Sequence, residues 1–452
     1  MARLAAAAAM AGGRLSGDDA EFCGVTSDTR ALARGDLFVA LQGCSFDGHD
    51  FARRAVSLGA AGCMVAREID ALPAQIVVDD TLLGLQRLAG AWRARLHLPV
   101  VAVVGSNGKT TTKQLLAAVL SGRRAVLATA GNLNNHIGVP LTLLQLRAAH
   151  RAAVIEIGAN HPGEIAPLAR LAAPMVTVVT CSGEDHLEGF GSVQGSARTN
   201  GEALEALPRD GVAVLPAEDP QLALWRAQSG GRTVLTFGFA AGAEVRAQAL
   251  VQGAESSRFE LLTPAGTAAV RLPLPGRHNV ANALAAAAAA HALGLTPAAI
   301  AAGLACVEAP PGRSRWLAAA GGVRVLDDSY NANPASVRAA LELLAARPAP
   351  RIAVLGDMAE LGAQAAALHR AVGEYARALG VEYLLALGTL SRHAAAGFGA
   401  GAQTLETLEQ LLAALHPLLT PAASVLVKGS RSARMERVVA ALCQPRRTEA
   451  RR

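Results

Sequence analysis

Lysine is almost missing from this chain. Among 452 residues it stands only at positions 109, 113 and 428, and arginine carries nearly all the remaining positive charge. Aromatic residues make up 3%, and although hydrophobic residues reach 52%, the apolar stretches are short, alanine-rich and interrupted. None is an unbroken apolar run of the roughly 20 residues that a membrane-crossing helix needs, so a soluble globular protein is expected. Cys23, Cys44, Cys63, Cys181, Cys306 and Cys443 are scattered, with no paired metal-ligand spacing and no disulfide-dense segment, which points to a reducing cytoplasm. The formal charge of +6 suits anionic ligands, but no basic run with interleaved aromatics accompanies it, so nucleic acid is not an expected partner. The opening Met-Ala-Arg-Leu and its alanines are too weakly apolar, and too soon followed by Arg14, for a signal peptide; a plain N-terminal helix or frayed end is expected.

What the chain does contain is a loop built for phosphate. Residues 100–112 read Val-Val-Ala-Val-Val-Gly-Ser-Asn-Gly-Lys-Thr-Thr-Thr, an apolar strand that runs into a glycine turn ending on Lys109 and Thr110. Glycine lets the backbone turn tightly beside a polyphosphate, the following helix offers unpaired N–H groups, Lys109 brings positive charge, and Thr110 suits Mg²⁺. A nucleoside triphosphate is the expected ligand. The longer pattern G-x-x-x-x-G-K-[ST] needs glycine at 103, where this chain has Val103, so the loop is a shortened one. Lys113 and Lys428 also lie in segments of functional appearance, although Lys113 reads equally as a surface position on the helix after the loop.

The length exceeds one core, and about 150 residues per domain suggests three. Residues 1–98 read as a small α/β domain, with strands at 36–41 and 75–78 and helices at 51–59 and 82–96. Leu98-Pro99 marks a boundary. In 99–312, strands at 100–104, 153–157, 175–180 and 212–215 alternate with helices, which predicts a mostly parallel sheet with its ligand at the carboxyl edge. Helices at 279–293 and after Thr296 lead to the linker Ala309-Pro-Pro-Gly312. In 313–452, strands at 323–326, 351–355, 383–387 and 424–427 give a Rossmann-like domain without G-x-G-x-x-G, so no dinucleotide is expected. The fold class is α/β in three domains, a central P-loop-type mostly parallel sheet between a small N-terminal α/β domain and a C-terminal Rossmann-like one.

Several strand ends carry chemistry. Glu156 follows an apolar strand and could complete a Mg²⁺ site begun by Thr110, although a lone glutamate there is more often a cap. His186 follows the next strand and could reach the same edge or be a structural histidine. Asn279 and Asn282 lie three apart at a helix start, fitting capping or base recognition. Asp327-Asp-Ser-Tyr-Asn-Ala-Asn-Pro334, Leu355-Gly-Asp-Met-Ala-Glu-Leu-Gly362 and Val427-Lys-Gly-Ser-Arg431 are polar turns that would line one edge of the last sheet. Turn chemistry explains their Asn, Asp, Gly and Pro but not Lys428 and Arg431, which suit an anion.

Taken together, the segments resemble the Mur ligase family, ATP-dependent amide-forming enzymes of peptidoglycan synthesis, whose short loop is similar to Gly105-Ser-Asn-Gly-Lys-Thr-Thr111. From about Val25 to about Val438, Gly131-Asn-Leu-Asn-Asn-His-Ile-Gly-Val-Pro-Leu-Thr142, Gly158-Ala-Asn-His-Pro-Gly-Glu-Ile165, His186-Leu-Glu-Gly-Phe-Gly191, Gly276-Arg-His-Asn-Val-Ala-Asn282 and Asp328-Ser-Tyr-Asn-Ala-Asn-Pro334 resemble the member that joins D-alanyl-D-alanine to UDP-N-acetylmuramoyl-tripeptide. The resemblance implies a cytoplasmic enzyme using ATP and Mg²⁺, and a monomer is expected. It implies that Gly105, Ser106, Asn107, Gly108, Lys109, Thr110 and Thr111 cradle the nucleotide, with His278, Asn279 and Asn282 on its adenine side, Arg313 on its phosphates and Asp328 on its ribose. Lys109, Glu156 and His186 would be catalytic; Thr110 and Glu156 would hold one Mg²⁺ and His186 a second. Ser27, Asp28, Arg30, Asp47 and His49 would hold the UDP end, and Asn134, Asn135, Asn331, Asn333, Lys428 and Arg431 other parts of the substrates.

One position departs from the family. Many members carry a carbamylated lysine, in a segment resembling A-K-A-K-G-E, that helps hold the second Mg²⁺; here Ala197-Arg-Thr-Asn-Gly-Glu202 puts Asn200 there. A carbamylated lysine is therefore not expected, and His186, the Asn200 carbonyl and water would serve instead. A diaminopimelate- or lysine-adding member would carry Asp-Asn-Pro-Arg in the third domain, and a folylpolyglutamate synthase would lack the first domain. Asn200 alone keeps a non-catalytic nucleotide binder open.

Overall fold

The structure, a computed structural model, describes residues 1–122 and 125–443. Its strands form three larger sheets and a small ribbon of Ala2–Arg3 with Glu21–Phe22. The first large sheet runs Arg14–Gly17, Ala74–Val77, Gly62–Val65, Asp36–Val39, Gly24–Thr26 in space, antiparallel only at its first pair. The N-terminal helix Leu4–Ala11 buries Leu4, Ala7 and Ala11 completely. Helix Thr81–Ala94 starts where the Asp80 carboxylate accepts the Leu83 N–H. It ends tied to the middle of the chain, with Trp92 Nε1 donating to Leu146 O and Arg93 Nε to Ala172 O.

The central sheet has nine strands. Val100–Val104, whose five residues are all fully buried, has Val176–Val179 on one side and His150–Glu156 on the other, both parallel to it. A run of valine without alternation fits a strand covered on both faces. Because its two spatial neighbours both come later in the chain and lie on opposite sides, the crevice at its carboxyl end is a topological switch point, where open α/β sheets bind ligands. Helix Arg277–Ala292 covers this sheet and packs on helix Lys109–Ser121, which follows the loop. Its residues 283–290 are fully buried and are alanine except for Leu284, so the backbones approach closely and residues 278–282 lie beside the loop.

The last sheet runs Arg315–Ala318, Arg324–Asp328, Ser424–Lys428, Arg351–Gly356, Tyr383–Leu387, Ala402–Leu405, antiparallel only at its first pair. Asp328, Gly356 and Lys428 thereby reach the same edge on adjacent strands. Among the described residues no helix is long and apolar enough to cross a membrane.

Candidate active site

A cavity of about 400 Å³ opens at the end of Val100–Val104, and the loop residues from Ser106 to Thr111 form its floor. The loop is held from several sides. Gly105 (φ +127°) and Gly108 (φ +78°) take backbone conformations that side chains disfavour, and a Cβ at Gly108 would strike Asn282 Oδ1. Asn282 Oδ1 also accepts the Thr112 hydroxyl at 3.4 Å, and its amide points back to Asn279 Oδ1. Lys109 Nζ donates to the carbonyls of Gly105 and Ser106, so its ammonium lies within the arch of the loop. His278 and Asn279 line the same wall, and burial lowers the His278 pKa, which favours a neutral imidazole there.

Glu156 is 2% exposed and projects into this floor. Its Oε1 accepts the Thr110 hydroxyl at 3.2 Å and the Asn134 amide at 2.8 Å. Its Oε2 lies 3.0 Å from Lys113 Nζ, which also donates to Gly131 O. Burial would raise the Glu156 pKa, but the charges of Lys113, Lys109 and Arg313 outweigh it and hold the carboxyl below its ordinary value. Lys113 is itself 2% exposed, so it is no surface residue but the buried counter-charge of Glu156. The pair is close in distance yet poorly aligned, for Oε2 makes no hydrogen bond of good geometry. The Glu156 carboxylate and the Thr110 hydroxyl, 3.2 Å apart on the cavity floor, are hard-oxygen donors of the kind suited to Mg²⁺. Among the described residues no three His, Cys, Asp or Glu come together as a metal cage. A Mg²⁺ here would therefore take its other ligands from phosphate oxygens and water, as this ion commonly does.

The third sheet supplies the opposite wall. Asp328 Oδ1 accepts the Ser314 N–H at 2.8 Å, and its Oδ2 pairs with Lys428 Nζ, which also donates to Asn331 O at 2.9 Å. Tyr330 lies under the guanidinium of Arg313 at 4.4 Å and within 5.8 Å of that of Arg431. Ala335 and Ser336, in the first turn of helix Pro334–Ala345, face the cavity and present the partial positive charge of a helix start. Asn333 caps that helix and donates through Nδ2 to Asn107 Oδ1 at 2.8 Å, so the last sheet's edge touches the phosphate loop directly. Arg313, Asp328, Asn331 and Lys428 thus join the loop, Glu156, Asn134 and His186 around one cavity.

This arrangement has relatives. Residues 21–80, 103–290 and 312–431 match, in that order, the Mur ligase family catalytic domain, the Mur ligase middle domain and the Mur ligase glutamate ligase domain. The UDP-N-acetylmuramoyl-tripeptide--D-alanyl-D-alanine ligase of Escherichia coli (strain K12) is 45% identical over 436 residues, covering 95% of this chain and 96% of that protein. The chain belongs to the Mur ligase family. A crystal structure of MurF from Acinetobacter baumannii superposes with a TM-score of 0.92 at 36% identity, covering 97% of this chain and 98% of that one. The MurF ligase of Thermotoga maritima, solved with ADP, gives 0.81 at 29% identity over 92% and 96%.

Other expected site residues of this Mur ligase lie apart from the cavity. Asn200 is a correction to the sequence reading: its Oδ1 accepts the Gly105 N–H at 2.8 Å and its amide donates to Ser196 O, so its carbonyl buttresses the loop from behind instead of offering itself to a metal. Asn135 caps the turn at 137–138 through Oδ1. In the first sheet's loops, Asp28 and Arg30 pair on the surface near Ser27, and Asp47 accepts the His49 backbone and ring N–H groups and the Arg67 guanidinium. His49 Nε2 accepts the Ala66 N–H, so both ring nitrogens are engaged within the fold. Lys113, Tyr330 and Glu360, the partner of His186, support the cavity in roles that the sequence did not assign, although each lies in a segment it had marked.

The cysteines offer a test of this geometry. Burial pushes the Cys63 thiol up to about 12 and the Cys181 thiol, beside the loop, up to about 11, while Cys23, Cys44 and Cys306 are exposed. At pH 8 a maleimide is expected to label the exposed three at least about 10-fold faster than the buried Cys63, as read by peptide mass spectrometry. Rapid labelling of Cys63 would contradict the complete burial of its thiol.

Proposed function

We propose that this chain is an ATP-dependent amide ligase that joins D-alanyl-D-alanine to UDP-N-acetylmuramoyl-tripeptide through an acyl phosphate. The observation that carries the reading is one cavity in which a shortened phosphate loop, a buried carboxylate and a cation-bearing edge of the last sheet meet; the Escherichia coli relative of that activity, matched almost end to end, supports it. In this reading residues 1–98 hold the UDP end, 99–312 activate the carboxylate, and 313–452 bind the dipeptide and close over ATP. The reaction belongs to the cytoplasm, where ATP and the precursor are found.

A carboxylate does not acylate an amine at neutral pH because oxide is a poor leaving group. The tripeptide carboxylate oxygen therefore takes the γ-phosphoryl group of ATP, and ADP departs. The dipeptide amine attacks the acyl carbon, its proton passes to solvent or a neighbouring base, and the tetrahedral intermediate expels phosphate to leave the amide. Lys109 neutralises the phosphoryl oxygens as charge gathers on them. Mg²⁺, held by Thr110 and Glu156 with phosphate oxygens and by His186 at a second position, would supply further charge neutralisation. His278, Asn279 and Asn282 orient the nucleotide, Arg313 its phosphates and Asp328 its ribose. Asn331, Lys428 and Arg431 receive the dipeptide, and the seated third domain excludes water from the acyl phosphate.

Phosphate release measured with ATP and UDP-muramoyl-tripeptide, with and without D-alanyl-D-alanine, tests the reading. Sustained release is expected only when the dipeptide is present. Equal release in both arms would remove the ligase assignment and leave an ATPase.

A further inference from the structure

The turn Leu355-Gly-Asp-Met-Ala-Glu-Leu-Gly362 belongs to the last sheet, yet one of its side chains leaves it. Asp357 is spent inside the turn's own domain: Oδ1 accepts the N–H groups of Leu390 and Ser391, and its carbonyl accepts that of Ser430. Met358 and Leu361 are buried, and the Met358 N–H donates to His369 Nε2. Glu360, fixed between them, reaches across to the central domain, where its Oε2 lies 2.6 Å from His186 Nδ1. The backbone joins in, for the Glu188 N–H donates to Glu360 O at 3.2 Å.

Both partners occupy costly backbone conformations. His186 has φ +45° and Glu360 φ +63°, the left-handed region that residues with a Cβ seldom enter. Such strain, held on both sides of a single contact, marks a place where position matters more than local stability. His186 lines the nucleotide cavity, whereas Glu360 does not. A carboxylate oxygen this close to Nδ1 attracts a proton to that nitrogen, so a ring carrying a single proton holds it on Nδ1 and keeps its Nε2 lone pair free.

We propose that Glu360 is the positioning residue for His186, selecting its tautomer and ring orientation at the nucleotide cavity, and that this partner arrives only when the third domain is seated. Domain closure thereby completes a group of the central domain that the phosphate loop's own half of the molecule cannot orient alone. The proposal rests on the ligase reading only for the reaction whose rate is followed; the ring itself can be read without turnover.

The test uses the full chain labelled with ¹⁵N-histidine, as wild type, Glu360→Gln, Glu360→Ala, His186→Ala and the Glu360→Ala/His186→Ala double variant. In the wild type the His186 ring is expected to show the Nδ1–H tautomer, and in Glu360→Ala a mixture of tautomers. Turnover in Glu360→Ala is expected to fall about 10–100-fold in kcat, with KM for the UDP-tripeptide within about 2-fold. The double variant is expected to be no slower than His186→Ala, because Glu360 acts through that ring. Glu360→Gln, which keeps the shape and an accepting oxygen, is expected to recover part of the loss and the tautomer. An unchanged ring signal in Glu360→Ala, or losses that multiply in the double variant, would overturn the proposal. A wild type that releases phosphate equally without the dipeptide would instead sink the ligase reading, while the ring spectra would still decide the role of Glu360.

Discussion

A Lys113→Met variant is expected to lose about 3–5 kcal/mol of stability in the central domain, the cost typical of leaving one member of a buried ion pair without its partner. Lys113 and Glu156 are each 2% exposed, and the ammonium lies 3.0 Å from Oε2. Methionine fills the same space without charge, so lost packing contributes little. Hydrogen exchange in strands Val100–Val104 and His150–Glu156 reports the loss where it occurs. The pH dependence has a definite sign. Since the folded-state pKa of Glu156 lies below its ordinary value of 4.5, the pair's stabilisation is complete above that value and is lost as pH falls through the depressed one. Without Lys113 burial dominates, the carboxyl pKa rises, and acid unfolding is expected to begin at higher pH than in the wild type. Adding Glu156→Leu should recover much of the lost stability, because the orphaned charge goes with it, while turnover stays lost. A single Lys113→Met variant as stable as the wild type would show that the pair carries no such energy.

Lys113 also marks where sequence legibility stops. The loop strand at 100–104 and the strand at 383–387 were readable to the residue, because each is an unbroken apolar run between turn signals. The convergence of Asp328 and Lys428 followed from strand ends that share an edge. The antiparallel strands Val245–Gln252, Ser257–Thr263 and Gly266–Leu272 had no such signature. Their residues alternate polar and apolar irregularly at the sheet's outer margin, and the register shifts within the first pair. Lys113 lies one helical turn beyond Lys109, a spacing equally suited to a solvent-facing residue, and only the position of the neighbouring strand decides which way it points. Glu360 was legible as part of a polar turn but not as the partner of His186, since that contact joins positions 174 residues apart across two sheets and depends on how the domains meet. Asn200 shows the reverse: the resemblance put it where many family members carry a lysine, and in the fold its side chain accepts the Gly105 N–H and does not line the cavity.

Replacing Lys109 with methionine is expected to lower kcat on the order of 10²–10³-fold, the range found when one preorganised donor to developing charge is removed. Lys109→Arg is the sharper experiment, because this chain uses arginine almost everywhere else. Nζ of Lys109 sits between the Gly105 and Ser106 carbonyls, in a loop pinned by Asn200 beneath Gly105 and by Asn282 against Gly108. An ammonium is compact and can turn its hydrogens from carbonyl to phosphate oxygen, whereas a planar guanidinium is larger and directs its donors in a fixed fork. Arginine at 109 must therefore push the loop open or swing into the space meant for the nucleotide, and charge alone should not rescue it. Its KM for ATP is expected to rise and its kcat to remain on the order of 10²-fold or more below wild type. The same constraint applies to the other two lysines: Lys113 is enclosed by Glu156 and Gly131, and Lys428 by Asp328 and Asn331. If Lys109→Arg turned over within about 3-fold of the wild type, the ammonium would be needed only as a point charge, and the scarcity of lysine would carry no meaning for this site.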